Sequence, residues 1–300
     1  MSVLPPMPPS VPPALAGLSA WAGRYDLVLS DVWGVLHDGE AAHLAACTAL
    51  QRFRARGGTV VLVSNAPRPG SAVAAQLAGF GVPAGVFDAI VASGDVSRGL
   101  LAARPGVRLF HIGPDRDLPL FEGLELRRVP LGEAELVLCT GPWNDDVETP
   151  DDYRDVLGAM LARRLTLVCG NPDRVVERGG RLVYCAGAIA DLYAEMGGDT
   201  VYAGKPHPPI YRDALARAAA VRGAAVGLRR VLAIGDSVRT DLAGAARQGI
   251  DCLFILAGIH AGDLGEAAAD PSAQAGQAAL AALFAGTPAL PVAVMTQLRW

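Results

Sequence analysis

The chain has 300 residues, 51% hydrophobic and 19% charged, enough apolar material for one large or two moderate domains. A formal net charge of -4 and a pI near 5.7 argue against nucleic acid as a partner. No apolar run reaches the roughly 18 residues that a membrane span needs, so a membrane partner is not expected either.

The N-terminus, with Pro5, Pro6, Pro8, Pro9, Pro12 and Pro13, lacks the basic start and apolar stretch of a secretory signal; residues 1–20 read as an extended, partly disordered tail. Apolar runs predict strands at Leu27–Ser30, Thr59–Ser64, Ala89–Ala92, Arg108–Ile112, Leu136–Thr140, Thr166–Gly170, Val231–Ile234 and Asp251–Ile255. Helical patterns fall between them at His43–Arg56, Ser71–Phe80, Val96–Ala103, Pro150–Arg163, Gly187–Met196, Pro208–Val221 and Asp241–Gln248. The Ala-rich Gly265–Phe284 reads as helix and Ala289–Val294 as a last strand. The alternation predicts an α/β fold, a Rossmann-like core around a mainly parallel sheet. Cys47, Cys139, Cys169, Cys185 and Cys252 form no C-x-x-C pair and sit mostly in apolar stretches, as expected of buried free thiols in a reducing cytoplasm.

Four strands end in a polar cluster: Asp31–Gly34, Ser64-Asn65, Gly204-Lys205-Pro206 and Gly235–Asp241. Ligands of open α/β sheets bind at such strand ends. Each cluster alone is weak evidence. An Asp at a strand end is often a cap, and Ser237 and Thr240 read equally well as helix caps. Asn171-Pro172-Asp173 is compatible with a plain turn, His37-Asp38-Gly39 reads as a tight turn, and His111, His207 and His260 read as structural. The order of the clusters is the stronger signal: carboxylate, hydroxyl, lysine, then two carboxylates five residues apart.

These four motifs resemble those of the haloacid dehalogenase-like superfamily, and within it the NagD-like class IIA phosphatases. Asn171-Pro172-Asp173 and Cys185-Ala186-Gly187-Ala188 are similar to segments of that class's inserted α/β cap, of type C2a. The resemblance implies a core over residues 21–96 and 203–300 and a cap over 97–202. It implies a hydrolase of a small phosphorylated metabolite, with Mg²⁺ as cofactor. Asp31 would be the nucleophile and one metal ligand, Asp236 a second ligand, and the Trp33 carbonyl a third. Ser64, with backbone N–H groups near Gly34 and Asn65, would hold the transferring oxygens. Lys205 would offset the massed negative charge. Asp241 would either orient a metal-bound water or pair with Lys205, and Asn171 and Asp173 would face the site from the cap. A homo-oligomer is compatible with the sequence.

One residue departs from the family pattern. Trp33 stands where these phosphatases carry the aspartate that protonates the leaving oxygen and activates water. An indole N–H cannot exchange a proton usefully near neutral pH. Three readings follow: a phosphatase with impaired or rerouted acid/base catalysis, a phospho-ligand-binding protein without turnover, or a metal-independent dehalogenase-type hydrolase.

Overall fold

Strands buried on both faces of a parallel sheet must be apolar throughout, and the runs above meet that requirement. The computed structural model describes residues 11–178 and 181–300. Its first elements are β1 (Leu27–Ser30), α1 (Leu44–Ala55), β2 (Thr59–Ser64), α2 (Gly70–Gly79), β3 (Ala89–Ala92) and α3 (Ser93–Ala102). There follow β4 (Val107–Ile112), β5 (Leu126–Arg128), β6 (Leu136–Cys139), α4 (Arg154–Ala162), β7 (Thr166–Cys169), β8 (Val175–Arg178), β9 (Arg181–Tyr184), α5 (Ala186–Glu195) and β10 (Thr200–Tyr202). The chain closes with α6 (Pro208–Arg222), β11 (Val231–Gly235), α7 (Ala243–Gln248), β12 (Asp251–Ile255), α8 (Ala261–Leu264), α9 (Gln274–Leu283) and β13 (Ala293–Met295).

Six strands make one parallel sheet in the order β13-β12-β11-β1-β2-β3. Counted by themselves, they follow the doubly wound order 3-2-1-4-5-6. The pleat sends alternate residues to opposite faces. Val28, Val60 and Leu62 pack with Leu50 and Phe53 of α1 and Leu77 of α2. Leu27, Leu29, Val61 and Val63 pack with Ile210, Tyr211 and Ala214 of α6 and Leu280 of α9. Helices therefore cover both faces, as a parallel sheet requires.

Between β3 and β11 the chain builds a second parallel sheet, β10-β7-β6-β4-β5, and an antiparallel hairpin, β8-β9. This lobe has its own apolar interior. Val137, Cys139, Leu167 and Cys169 face Leu157 and Met160 of α4 and Ile189 and Tyr193 of α5. Leu109, Leu136, Leu138 and Val168 face Leu101 of α3 and Leu120 on the other side. All five cysteines are free and buried.

Several expectations are corrected. Gly265–Phe284 is not one helix: a 3-10 turn over Gly265–Ala268 ends before Asp270-Pro271, and α9 starts at Gln274. Pro271 has no N–H to continue a helix, and the Asp270 carboxylate accepts from the Ser272 and Ala273 N–H groups, both at 3.2 Å. Residues 1–10 of the expected tail lie outside the described residues. Residues 11–20 are part of the packed structure: the Leu15 N–H donates to the Val294 carbonyl (2.8 Å), and Leu18 is fully buried. Helix Asp241–Gln248 is entered through a π-turn over Val238–Leu242. Strands β5, β8, β9 and β10 were not expected, being short and partly exposed, with no buried face to impose a period.

Candidate active site

The central strand of the larger sheet is β1, and Asp31 follows directly at its C-terminal end. Its neighbours β2 and β11 end at Ser64 and Gly235, so Ser64 and Asp236 emerge on the same edge. This is the switch point of the doubly wound order, where the flanking connections diverge and leave a crevice. Lys205 arrives as the chain returns from β10. Its ammonium donates to Asp31 Oδ1 (2.6 Å) and to Asp241 Oδ1 (2.7 Å), and all three residues are buried. Of the two roles open to Asp241, the structure shows the ion pair with Lys205.

Asp236 is held by close backbone. Its Oδ2 accepts from the Ile259 N–H (2.7 Å). Gly34, with φ +79°, and Gly258 both approach that carboxylate so closely that a Cβ on either would collide with it. Asp241 Oδ2 accepts from the Ser237 N–H (3.2 Å). Carboxylate oxygens of Asp31, Asp236 and Asp241 lie within 4.8 Å of one another.

The electrostatics follow from that crowding. Burial, then the charges of Asp31 and Asp241, push the Asp236 carboxyl well above the usual range. Burial, then Asp31, raises Asp241 to about 6 against the pull of Lys205. Asp31 is raised by burial, although Lys205 opposes it. Burial disfavours the Lys205 ammonium, yet Asp241, Asp31 and Asp173 more than offset this and hold it well above the lysine range. One ammonium thus faces three carboxyls, and the pocket can accept further positive charge.

The site's roof comes from the second lobe. The Asp173 Oδ1 accepts from the Asn65 amide (3.0 Å), and the same amide donates to the Lys205 carbonyl (3.2 Å) while its oxygen accepts the Lys205 N–H (2.7 Å). Asn171 and Asp173 both line the cleft. The Asn171 side-chain oxygen, however, accepts the Asp173 N–H (3.1 Å), which makes Asn171 a turn former. The oxygen-holding role expected at Gly34 is corrected as well, because its N–H donates to the His37 carbonyl (2.8 Å) and Gly34 instead makes room for Asp236. The Asn65 side chain joins Lys205 and Asp173, and these bonds leave the role expected of its backbone N–H untouched. Ser64 Oγ accepts the Ala66 N–H (3.2 Å), which leaves its O–H free to donate into the cleft.

Trp33 reaches across the cleft mouth. Its indole N–H donates to the Glu177 carbonyl (3.1 Å) on β8, and its ring meets His37 edge-on at 5.0 Å. His37 accepts the Gly39 N–H at Nδ1 (2.9 Å), closing the expected turn, and burial lowers its pKa to about 4. His111, His207 and His260 take structural partners: the Thr140 hydroxyl, the stacked ring of Tyr202, and Asp263. The cleft measures about 620 Å³, and its lining includes Asp31, Asp236 and Trp33 together with Arg68, Arg116 and Asp145. The three last residues, and the Gly258-Ile259 cradle, escaped the sequence reading. Only the Pro67-Arg68-Pro69 pattern carried a signal, an arginine fixed between two prolines.

Among the described residues, no helix is long and apolar enough to cross a membrane. A family model for haloacid dehalogenase-like hydrolases matches residues 28–127, and a second, HAD-hydrolase-like model matches residues 202–279. A D-glycerol 3-phosphate phosphatase of Mycobacterium tuberculosis is 28% identical over 248 residues, 80% of this chain and 65% of that protein. The chain thus spans just under two thirds of that relative. A glycerol phosphate phosphatase from the same organism, crystallised with calcium, superposes with a TM-score of 0.59 at 26% identity, over 79% of this chain and 68% of the other. A hydrolase of the haloacid dehalogenase-like family from Brucella suis 1330 is 44% identical over 94% of this chain and 98% of its own, with a TM-score of 0.82. With that identity over nearly the full length of both chains, and a lobe inserted between the second and third motifs, the chain belongs to the haloacid dehalogenase-like hydrolases, in their NagD-like class IIA branch.

Proposed function

We propose that this chain is a Mg²⁺-dependent phosphatase that works through a phosphorylated Asp31, and that Trp33 confines it to substrates with good leaving groups. The observation that carries the reading is the bonding of Lys205 to both Asp31 and Asp241 beside Asp236, at the sheet's switch point and under a roof from the inserted lobe. The donor set fits Mg²⁺: hard carboxylate oxygens of Asp31 and Asp236 are crowded together with one lysine to balance them, and the Trp33 carbonyl would be a third donor. When bound, the ion would neutralise charge on the transferring phosphoryl oxygens.

The remaining steps belong to the protein. The Asp31 carboxylate attacks phosphorus, and the ester P–O bond breaks with its electron pair leaving on the departing oxygen. Ser64 donates to a phosphoryl oxygen, and Lys205 keeps the nucleophile ionised. Water then attacks the aspartyl phosphate at phosphorus. The bond from phosphorus to Asp31 breaks with its electron pair returning to the carboxylate, and inorganic phosphate leaves carrying the water's oxygen and protons. Trp33 offers no proton to the departing oxygen, and its N–H is already given to Glu177. General acid–base help is typically worth about 10²–10⁴ in rate. Phenolic and acyl oxygens depart without it, whereas alkoxides do not. An alkyl ester, of the kind named for the Mycobacterium tuberculosis relative, is therefore the slow class here.

Steady-state kinetics with Mg²⁺ on phenyl phosphate, acetyl phosphate and an alkyl phosphate test this reading. We expect the aryl and acyl substrates to be at least about 10²-fold faster than the alkyl ester. Trp33→Asp narrows that gap and Asp31→Asn abolishes turnover. Equal kcat/KM for all three substrates in the wild-type protein would remove the role given to Trp33. No turnover of any of them, with phosphate still raising the melting temperature, would favour a binding protein.

A further inference from the structure

Resting on that phosphatase reading, we infer that the substrate also carries a carboxylate, and that Arg68, in the same cleft as Asp31, receives it. Arg68 stands on the sheet lobe, three residues beyond Asn65 and so at most about 10 Å further along the backbone. It lines the same cleft as Asp31.

The loop that carries Arg68 is rigid by construction. Pro67 and Pro69 fix φ on either side. Gly94, in the first turn of α3, lies directly against the Arg68 backbone, where any Cβ would clash with its N, C and O atoms. The Gly94 N–H donates to the Ala66 carbonyl (3.1 Å), and both Asp95 oxygens accept the Gly70 N–H (3.2 Å). The backbone that carries the guanidinium is thus fixed before any ligand arrives, which lowers the entropic cost of binding.

Among the described residues, that guanidinium is in no salt bridge, and its Nη2 donates to the neutral Gln76 Oε1 (2.8 Å). Arg116 and Arg178 differ, since both pair with Asp145. The charged groups facing Arg68 are Asp117 and Arg116. Asp117 is buried, burial raises its carboxyl pKa, and among the described residues no salt bridge joins it to Arg68. Burial also lowers the Arg68 pKa, and a partner anion would reverse that desolvation cost.

A free, half-buried fork of N–H donors suits a planar anion. One positive charge matches one carboxylate. A second phosphate would bring up to two negative charges to a single guanidinium, in a cleft also lined by Asp31, Asp173 and Asp236.

The test reads a ratio within each protein, so that loss of folded enzyme cancels. With Mg²⁺ present, kcat/KM is measured for 4-carboxyphenyl phosphate and for phenyl phosphate. We expect the wild-type protein to favour the carboxylated ester at least about 10-fold, Arg68→Met to bring the ratio near one, and Arg68→Lys to keep part of it. The same ratio in wild type and Arg68→Met overturns the assignment. If neither ester is hydrolysed, the phosphatase reading fails and Arg68 is judged by binding alone. Calorimetry then compares 4-carboxybenzylphosphonate with benzylphosphonate on the wild-type protein and on Arg68→Met. A preference of about 10-fold for the carboxylated ligand, lost in Arg68→Met, upholds the carboxylate site, and equal affinities on the wild-type protein overturn it.

Discussion

Asp236 shows how much of this site depends on residues with no side chain. Its carboxylate sits in a slot between Gly34 and Gly258, where a single methyl group on either would overlap it. Packing at protein interiors leaves no slack for that overlap, so the carboxylate must move. Gly258→Ala is therefore expected to displace Asp236 and weaken Mg²⁺ binding at least about 10-fold, roughly 1.4 kcal/mol. The rise in melting temperature on adding Mg²⁺ reports this directly. A rise equal to that of the wild-type protein would separate Asp236 from the metal site. Gly258 also shows why the residue list read from sequence was incomplete. Asp236 sits in a run with a recognisable order, whereas Gly258 acts only through where β12 places it.

At the scale of elements, the hairpin β8-β9 is the part of the inserted lobe that meets Trp33 beside the cleft. Its strands are short and half-exposed, and Leu182 stands 63% open to solvent, so little apolar burial holds the hairpin down. The indole of Trp33 supplies a fixed bond from the sheet lobe to the Glu177 carbonyl. Trp33→Phe keeps an aromatic ring and removes that donor. Loss of one such bond, worth about 1 kcal/mol, predicts amide exchange in Val175–Arg178 about 5-fold faster. Unchanged exchange there would show that the hairpin stays closed without Trp33. The residue that takes the place of an acid thus has a structural use, legible only once β8 is seen beside it. In sequence the two are 144 residues apart.

At the scale of the whole molecule, two lobes with separate apolar interiors meet at a polar seam, and Asn65 is its centre. Its side chain joins the end of β2, Asp173 of the inserted lobe and both backbone groups of Lys205. Removing it leaves the buried Lys205 N–H without its acceptor and Asp173 without a donor. Asn65→Ala is expected to cost about 2–4 kcal/mol by urea unfolding, the range for stranding buried polar groups. A loss under 0.5 kcal/mol would mean that the seam is held elsewhere. The same seam explains the reach of the cleft, since its lining comes from both lobes while Asp31, Asp236 and Arg68 all stand on one.

The layered α/β fold, the principal strands and the order of Asp31, Ser64, Lys205 and Asp236 were legible from the chain alone. Strands buried on both faces must be continuously apolar, and parallel sheets carry their chemistry at strand ends, so pattern and order suffice. The partners of those residues were not legible. The occupied N–H of Gly34, the commitment of Asn65 and Asn171 to structural bonds, and the unpaired guanidinium of Arg68 are set by distances between segments remote in sequence. The same is true of the packed residues 11–20, whose proline-rich pattern suggested a tail. Ala14 and Leu15 find a partner only because β13 closes the sheet beside them. Local pattern reports which face a residue must bury, and only the tertiary structure decides what that residue meets there.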